Sequence, residues 1–384
     1  MFTAAAPLSS FAATDYTRPY ELTLDRFEGM TPSFGSVGGE WLVFALARSG
    51  RVGPADAWCS SYYSRIERMI AANGSGVINS NKLTENSRLV IALTSIGRNA
   101  RDVSGYDLVE PLTNQSGVKR QGVTGAAFAL LALDSRASYG ETATKNAYVD
   151  FLLGRELAGG GWVLGSGEAD PDVTGIVITA LAPYQRASSA IERAVARLSL
   201  IQDPDGGFTS FGTATCESCA QVVTALSTVG IDPDTDQRFI KNGHTVVDAL
   251  CAFFVDGGGF SHLPGHPVDG MATEQAFYAL TAYFRLLDGR TALYDMTDVP
   301  IRKTTSSGAA SAANTAETPT DEPDSAAPAG TDGPEENTDV ALAVSAAEAK
   351  PEKGMSPLLW AVPGVGLLGL LTWWLDKMRR ARKH

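Results

Sequence analysis

Polar side chains recur at set distances before an alanine-leucine pair that this chain repeats six times in apolar stretches. Nine residues before the leucine lie Gln121, Asp172 and Glu217, eight before it lies Glu85, and six before it lies Glu274. Such side chains at a helix start either cap the helix, each contributing about 1 kcal/mol, or, when several share one rim, form the polar mouth of a ligand site. The sequence leaves both functions open for each residue.

Two kinds of helix are predicted to position these side chains. Helices around the Ala-Leu pairs are apolar nearly all round, which is typical of inner helices, and are expected at about 38–49, 84–97, 120–133, 171–183, 215–229 and 271–287. Helices with a single apolar stripe alternate with them, at about 55–72, 101–112, 142–157, 187–202 and 236–255, and residues 16–30 supply a sixth. No strand is predicted, because the apolar periodicity is helical throughout.

A repeat of this length is typical of architectures in which each unit covers the apolar face of its neighbour. We therefore expect an all-α fold in which twelve helices close into an (α/α)6 ring over residues 15–300. The inner helices of such a ring run in one direction, so their amino termini, with free N–H groups and helix dipoles, meet at one mouth. The polar residues at the helix starts would then surround that mouth.

The composition excludes one class of partner. The net charge is −12 and there is no long basic patch, which argues against nucleic acid. The apolar fraction of 44% is sufficient for a large core. Four cysteines are too few for a disulfide scaffold and do not determine the redox compartment.

The two ends of the chain predict a protein anchored in the cell membrane. Residues 356–375 are expected to form one transmembrane helix, and the basic residues of 376–384 place that tail in the cytoplasm. Residues 301–355, rich in Ala, Pro, Thr and acids, are expected to be a disordered linker. Residues 1–14 resemble the remnant of a signal peptide. The folded part would therefore be extracellular.

Glycine-rich turns with an aromatic residue precede several inner helices. The stretches 151–162 and 200–208, which end in Gly160-Gly161-Trp162 and Gly206-Gly207-Phe208, resemble the repeats of squalene cyclases and protein prenyltransferase β-subunits. Residues 15–300 are similar to the α/α-toroid domains of exported bacterial surface proteins in that terpenoid cyclase/prenyltransferase superfamily. The same toroid forms the larger domain of cobalamin carriers and the thioester domain of complement proteins. The resemblance implies a fold that hosts enzymes and binders alike.

Two enzyme activities follow from the resemblance. Squalene cyclases carry an Asp-x-Asp-Asp motif whose central acid protonates the substrate, and Asp172 matches that acid, with Asp170 before it. Val173 replaces the last acid and removes part of the motif's charge. Prenyltransferase β-subunits hold zinc with Asp, Cys and His, and Glu217-Ser218-Cys219 stands in place of their Asp-x-Cys.

The zinc set implied by the resemblance is Cys216, Cys219 and His262, with His266 nearby. A catalytic zinc site needs three protein ligands and an open position, but the last inner helix has Glu274 and its neighbours where the family's histidine is expected. A buried cysteine pair, or a local disulfide, is the alternative. We predict no cofactor, and zinc remains the competing hypothesis.

The two other relatives imply different chemistry. The complement thioester needs Cys and Gln three positions apart, but Cys216 is followed by Cys219 at that distance, and Gln221 is only two residues after Cys219. The covalent attachment function is therefore not expected. Cobalamin carriers clamp their ligand between the toroid and a small β domain, whereas this chain passes from the toroid into the predicted linker.

These observations together favour a membrane-anchored surface protein that binds a ligand or partner without catalysis. The expected ligand is a corrinoid, an isoprenoid, a glycan or a cell-surface protein, and the competing function is a terpene cyclase-like or prenyltransferase-like enzyme. The candidate binding residues are Glu85, Gln121, Asp172, Thr174, Glu217, Gln221, Glu274 and Gln275. The candidate apolar wall consists of Trp41, Trp162, Phe208 and Phe260, which core packing would explain equally well.

Overall fold

A computed structural model describes residues 15–302, and this part of the chain is mostly helical. Its α-helices are α1 Thr17–Glu28, α2 Trp41–Ser49, α3 Ala57–Asn73, α4 Thr84–Ser95, α5 Gln115–Lys119, α6 Gly122–Asp134, α7 Thr142–Leu153, α8 Pro171–Leu181, α9 Ser188–Ile201, α10 Cys216–Thr228, α11 Val246–Cys251 and α12 Gly270–Leu287. Within residues 15–302, no helix is both long and apolar enough to cross a bilayer. The predicted signal remnant (1–14), the membrane helix (356–375), the tail (376–384) and all but the first two residues of the linker (301–355) lie outside the described residues.

The six predicted inner helices are confirmed to within a few residues as α2, α4, α6, α8, α10 and α12. Nearly every residue of these helices is buried, because their sequences carry small and aliphatic side chains on all sides. Their contacts follow a cycle: α2 contacts α4, α4 contacts α6, α6 contacts α8, α8 contacts α10, α10 contacts α12, and α12 contacts α2. Helices α1, α3, α7 and α9 match four of the predicted half-exposed helices.

Adjacent inner helices bring their amino-terminal turns together. The side chain of Gln121, just before α6, bonds Thr84 at the start of α4. Gly175 of α8 allows a close approach to α10, because a Cβ atom at this position would lie 2.8 Å from the carbonyl oxygen of Gln221. These contacts place the polar starts of neighbouring helices on the same side, which we call the amino-terminal face.

The predicted helix over 101–112 is wrong. Residues 103 and 106 instead form a β-bridge around Ser104 and Gly105, whose φ angles are 54° and 82°. A positive φ is incompatible with a right-handed helix. A 3₁₀ turn at Glu110–Thr113 and the short α5 follow.

The predicted helix over 236–255 is wrong except for α11. Strands β3 (Ile240–Lys241) and β4 (His244–Thr245) pair across Asn242-Gly243, a dipeptide that favours tight hairpins. The capping box of Thr245 and Asp248 then starts α11. Two further hairpins, β1 Thr209–Ser210 with β2 Thr213–Ala214 and β5 Phe254–Val255 with β6 Gly259–Phe260, correct the prediction that strands are absent.

A repeated hydrogen bond explains the glycine-rich turns. The fourth residue of α8, Thr174, accepts a hydrogen bond from the Trp162 amide at 3.0 Å, and the fourth residue of α12, Thr273, accepts one from the Phe260 amide at 2.9 Å. The fourth residue of α10 is Cys219, which interacts in the same way with the backbone of Phe208. Each turn is thereby fixed to the inner helix that follows it.

The opposite ends of α2 and α12 are held by two buried arginines and one aspartate, which we call the carboxy-terminal clamp. Arg48 and Arg285 bind the two carboxylate oxygens of Asp298, each at 2.7 Å. Arg48 also donates to the carbonyl oxygens of residues 292, 293 and 295. The clamp therefore fixes the segment that follows α12 against α2.

Candidate functional site

The helix caps at the amino-terminal face are not the acids that the sequence spacing selected. Asp170 accepts the hydrogen bond of the Val173 amide, and Asp269 accepts that of the Ala272 amide. Thr215 caps α10 in the same way. Asp172, Glu217 and Glu274 lie inside their helices, beyond the caps, so capping does not explain their presence.

Asp172, the second residue of α8, is buried with an unsatisfied oxygen. Its Oδ1 atom has no hydrogen-bond partner among residues 15–302. Burial raises the pKa of this carboxyl group well above its usual range, and the nearby charges of Asp170 and Glu217 raise it further. Asp170 itself accepts a hydrogen bond from the Ser210 hydroxyl in the β1–β2 hairpin.

Glu217, the second residue of α10, is paired. Its Oε2 atom lies 2.8 Å from Nδ1 of His262, and the carbonyl oxygen of His262 accepts a hydrogen bond from the Cys216 amide at 3.2 Å. The turn after β6 is therefore tied to the start of α10.

A second group joins α10 to α12. The amide nitrogen of Gln221 donates to Gln275 Oε1 at 2.9 Å and also contacts the hydroxyl of Tyr278. The remaining oxygen of Gln221, Oε1, is buried and receives no hydrogen bond within the described part of the chain. These three polar side chains are all more than nine-tenths buried.

A third group lies where α12, α2 and α4 meet. Glu274 Oε1 accepts the Gly38 amide at 2.6 Å, but its Oε2 atom is buried and has no donor in the range 15–302. Burial raises the pKa of Glu274 to about 8. Glu40 is fully buried beside it and pairs with Arg88 at 2.8 Å, and burial raises the pKa of Glu40 in spite of that partner.

Aromatic side chains lie next to these polar groups. The Tyr278 ring lies 6.1 Å from that of Trp41, and Trp41 lies 5.7 Å from Phe128 of α6, a helix that is not its neighbour in the cycle. Trp41 and Phe128 retain some exposure. By contrast Trp162, Phe208 and Phe260 are fully buried core residues.

Five of the eight candidate binding residues lie near the amino ends of three consecutive inner helices. Asp172, Glu217, Gln221, Glu274 and Gln275 lie on the adjacent helices α8, α10 and α12, and with Tyr278 they form what we call the amino-terminal cluster.

The other three candidates have separate roles or positions. Both polar atoms of the Gln121 side chain bond Thr84, and the hydroxyl of Thr174 is used by the backbone of Trp162. Glu85 is partly exposed at the start of α4 and accepts a long hydrogen bond, at 3.4 Å, from Asn79. None of these contacts involves the amino-terminal cluster.

The cysteines predicted as zinc ligands are buried thiols. All four cysteines are free, and the Cys216 thiol donates to the Ala272 carbonyl oxygen at 3.8 Å. Burial raises the pKa of Cys216 well above its usual range and that of Cys219 to about 12. Burial therefore favours the protonated thiols over the thiolates that bind metals. Across residues 15–302, no group of three or more His, Cys, Asp or Glu side chains is arranged to hold a metal ion.

Three residues of the site were missed by the sequence spacing. Arg88 had a usable signal, because it directly precedes the apolar run Leu89–Leu93 of α4, and a buried arginine needs a partner. Tyr278 and Ser210 had no such signal, since their roles depend on contacts with other helices.

Comparisons with known proteins do not add to this description. No protein-family model matches the chain, and no curated protein is significantly similar to it. The site is therefore interpreted from its own residues and from the repeat motifs quoted above.

Proposed function

We propose that residues 15–302 form an (α/α)6 toroid that binds a small ligand at the amino-terminal cluster without catalysing a reaction. The cyclic order of contacts from α2 to α12 and back to α2 supports the toroid. The shared direction of the inner helices, which brings polar first turns together, supports a ligand site at that mouth. Display outside the cell by a membrane helix at 356–375 is part of the same proposal.

One observation carries the binding function. Asp172 Oδ1, Gln221 Oε1 and Glu274 Oε2 are three buried oxygen atoms, on three consecutive inner helices, that have no hydrogen-bond partner in residues 15–302. A buried polar group left without a partner costs about 1 to 3 kcal/mol. A ligand that donates hydrogen bonds to these oxygens would offset that cost.

The lack of hydrogen-bond partners for these three oxygens also distinguishes between the expected ligands. An isoprenoid hydrocarbon has no N–H or O–H group to offer, whereas glycan hydroxyls and the amide groups of a corrinoid do. The apolar faces of Trp41 and Phe128 can pack against the rest of the ligand. We therefore favour a donor-bearing small molecule over an isoprenoid or a cell-surface protein.

A thermal-shift screen of glycans, corrinoids and isoprenoids tests this function. A donor-bearing ligand should raise the melting temperature of the wild-type protein, and Asp172→Ala should remove that rise. Asp150→Ala, at an exposed aspartate of α7 that pairs with Arg186, is the matched control and should retain it. A rise produced by isoprenoids alone, or retained in Asp172→Ala, would contradict the proposal.

Acid catalysis is a second candidate, supported by the buried carboxyl group of Asp172. Burial raises the pKa of Asp172 and so favours its protonated form, which is the form that can act as a general acid. This hypothesis predicts a cyclised product from an isoprenoid substrate, lost in Asp172→Asn. The zinc-dependent alternative predicts stoichiometric zinc in the purified protein, measured by elemental analysis.

A further inference from the structure

We infer that Arg98, Arg302 and Ser60 form a binding site for a phosphate-type oxyanion, near the end of α4 and away from the amino-terminal face. The Arg98 side chain donates to the Ser60 hydroxyl oxygen at 3.2 Å, and the Arg302 side chain donates to the same oxygen at 3.4 Å. Two guanidinium groups therefore meet at a single atom. This site is separate from the amino-terminal cluster and does not rest on the function proposed for it.

Three segments of the chain bring these side chains together. Ser60 is the fourth residue of α3, Arg98 follows the end of α4, and Arg302 is the last described residue of the segment after α12. The Arg302 amide donates to the carbonyl oxygen of Gly97 at 2.9 Å. Gly97 has a φ of 69°, and a Cβ atom at this position would lie 2.5 Å from the Pro300 carbonyl oxygen, so the contact requires glycine. The backbone thus holds Arg302 beside Arg98.

The two positive charges have no counter-charge in the described chain. Neither Arg98 nor Arg302 forms an ion pair within residues 15–302, whereas exposed arginines such as Arg186 and Arg193 pair with carboxylates. Burial and the neighbouring charge of Arg302 lower the pKa of Arg98, and Glu67 opposes this only in part. A single unpaired arginine on a surface is common, but two adjacent ones repel each other. A bound anion would offset that repulsion.

The hydrogen-bond donors of the site suit an oxyanion. A guanidinium group has several N–H donors, and in residues 15–302 Arg98 uses one of them for Ser60, while its plane lies 4.5 Å from the centre of the Tyr63 ring. Arg302 is exposed and uses one nitrogen, for Ser60 and for the Pro54 carbonyl oxygen. Because the Ser60 oxygen accepts both arginine bonds, its own O–H group can donate to a ligand. Three side chains thus offer donors at one partly exposed position.

Charge and shape favour a phosphate-type dianion over a carboxylate. Two guanidinium groups carry two positive charges, which a phosphate or sulfate dianion balances and one carboxylate does not. Guanidinium groups bind phosphate oxygens in pairs, and a tetrahedral ion has oxygens for both arginines and for the Ser60 hydroxyl. Asp56, at the start of α3, does not neutralise the site, since its carboxylate accepts the Gly53 amide. Free phosphate and the phosphate monoester of a lipid headgroup share this chemistry.

Isothermal titration calorimetry of the full-length chain tests the site, in a maltoside detergent and a buffer free of phosphate and sulfate. Inorganic phosphate should bind with one ion per chain, sulfate should compete with it, and acetate should bind about tenfold or more weakly. Arg302→Gln should weaken phosphate binding by about tenfold or more. Because Arg302 is exposed, the urea midpoint of this variant should stay nearly unchanged.

Two further variants separate binding from a structural role. Arg98→Lys keeps the charge but loses the planar donor group, so it should also bind phosphate less tightly. Arg120→Gln is the matched control, because Arg120 is exposed, forms no ion pair in residues 15–302 and donates to the Ser80 carbonyl oxygen. It should bind phosphate as the wild type does. A lack of saturable phosphate binding, equal affinity in Arg302→Gln and wild type, or an equal loss in Arg120→Gln would overturn the inference.

Nanodiscs distinguish the two sources of the phosphate group. If a lipid headgroup is the natural ligand, discs that contain phosphatidic acid should suppress the binding of added phosphate relative to discs of phosphatidylcholine alone. If the free ion is the ligand, the two kinds of disc should give the same affinity. Both results support an oxyanion site, and failure of phosphate to bind would leave the function proposed for the amino-terminal cluster standing.

Discussion

The two faces of the inner helices handle buried charge in opposite ways. At the carboxy-terminal clamp, Arg48 and Arg285 share Asp298. Their other hydrogen bonds reach backbone oxygens of the segment after α12, the Thr291 hydroxyl and, from Arg285, the carbonyl oxygen of Arg48 in α2. At the amino-terminal cluster, Asp172 and Glu274 each keep one buried oxygen with no donor in residues 15–302. Helix α12 contributes to both sets: Arg285 near its end is paired with Asp298, whereas Glu274 near its start keeps one oxygen without a partner in the described residues.

We attribute this difference to the binding function proposed for the amino-terminal cluster. Buried polar groups in folded proteins are almost always satisfied, and exceptions concentrate at functional sites. The pKa values of Asp298 and Glu274 show the same contrast between the two faces. Burial alone would raise the pKa of Asp298, but its hydrogen bonds to Arg48 and Arg285 hold it at about 2, whereas burial raises that of Glu274 to about 8. The clamp favours a charged carboxylate, and the cluster opposes one.

Removal of Arg48 should have the largest effect on folding. Arg48→Met keeps most of the buried volume but leaves the carbonyl oxygens of residues 292, 293 and 295 without their donor. Breaking a buried charge pair on one side costs about 3 to 5 kcal/mol, which urea denaturation would measure. Arg51→Met, at an exposed arginine paired with Glu28, is the control and should leave the urea midpoint nearly unchanged. Equal midpoints for the two variants would remove the distinction between the clamp and the surface.

The pH dependence of stability should differ between the two faces. The folded-state pKa of Glu274 is above its ordinary value of 4.5, so its protonated form stabilises the fold below that pH, and the stabilisation is lost as pH rises towards 8. Glu274→Gln should therefore be more stable than wild type at pH 9, by up to about 5 kcal/mol, and similar near pH 4. Asp298 has a lowered pKa, so Asp298→Asn should lose most at neutral pH, with the deficit shrinking below pH 3.8 towards about 2.

Urea denaturation of both variants across pH 3 to 9 checks these opposite trends. A Glu274→Gln difference that does not grow with pH would show that this carboxyl group titrates normally and would weaken the contrast between the faces.

The repeated turn-to-helix hydrogen bond should contribute a smaller amount. Thr174→Val removes the hydroxyl that binds both the amide and the carbonyl group of Trp162 while preserving shape. The expected loss is about 1 to 3 kcal/mol, because a buried amide is left without a partner. Thr179→Val is the control, since its hydroxyl bonds only the Gly175 carbonyl of its own helix. If Thr174→Val lost ligand binding but kept its stability, Thr174 would be counted among the ligand-binding residues again.

The inner helices were predictable because their all-round apolar character is local. The Asn242-Gly243 dipeptide is also a local signal for a hairpin. The helical periodicity of the apolar residues on either side of it led instead to the prediction of a helix. Only part of the candidate site could be predicted from the sequence. The spacing from the Ala-Leu pair identified Asp172 as a candidate. It did not show which residue caps α8, and in the structure that residue is Asp170, whose side chain accepts the Val173 amide. The pairing of Glu40 with Arg88, 48 residues apart, depends on how α2 and α4 pack and has no sequence signal.

The β1–β2 hairpin gives the smallest predicted effect. Phe211 and Gly212 form its turn with φ angles of 47° and 79°, and Phe211 is 62% exposed. A left-handed conformation is costly for a bulky residue and readily adopted by asparagine. Phe211→Asn should therefore stabilise the fold by about 0.5 to 1 kcal/mol, measured as a higher urea midpoint.

The second hairpin supplies the reverse control for Phe211. Asn242, with a φ of 52°, occupies the same turn position between β3 and β4, so Asn242→Phe should be destabilising. It also loses the hydrogen bond that Asn242 donates to the Pro204 carbonyl oxygen. The hydrogen bond of Ser210 to Asp170 connects the first hairpin to the amino-terminal face, so the strained turn at Phe211 is a candidate for a part in ligand binding. We expect Phe211→Asn to weaken ligand binding while it stabilises the protein, and a variant that gains stability with unchanged affinity would assign Phe211 no part in the site.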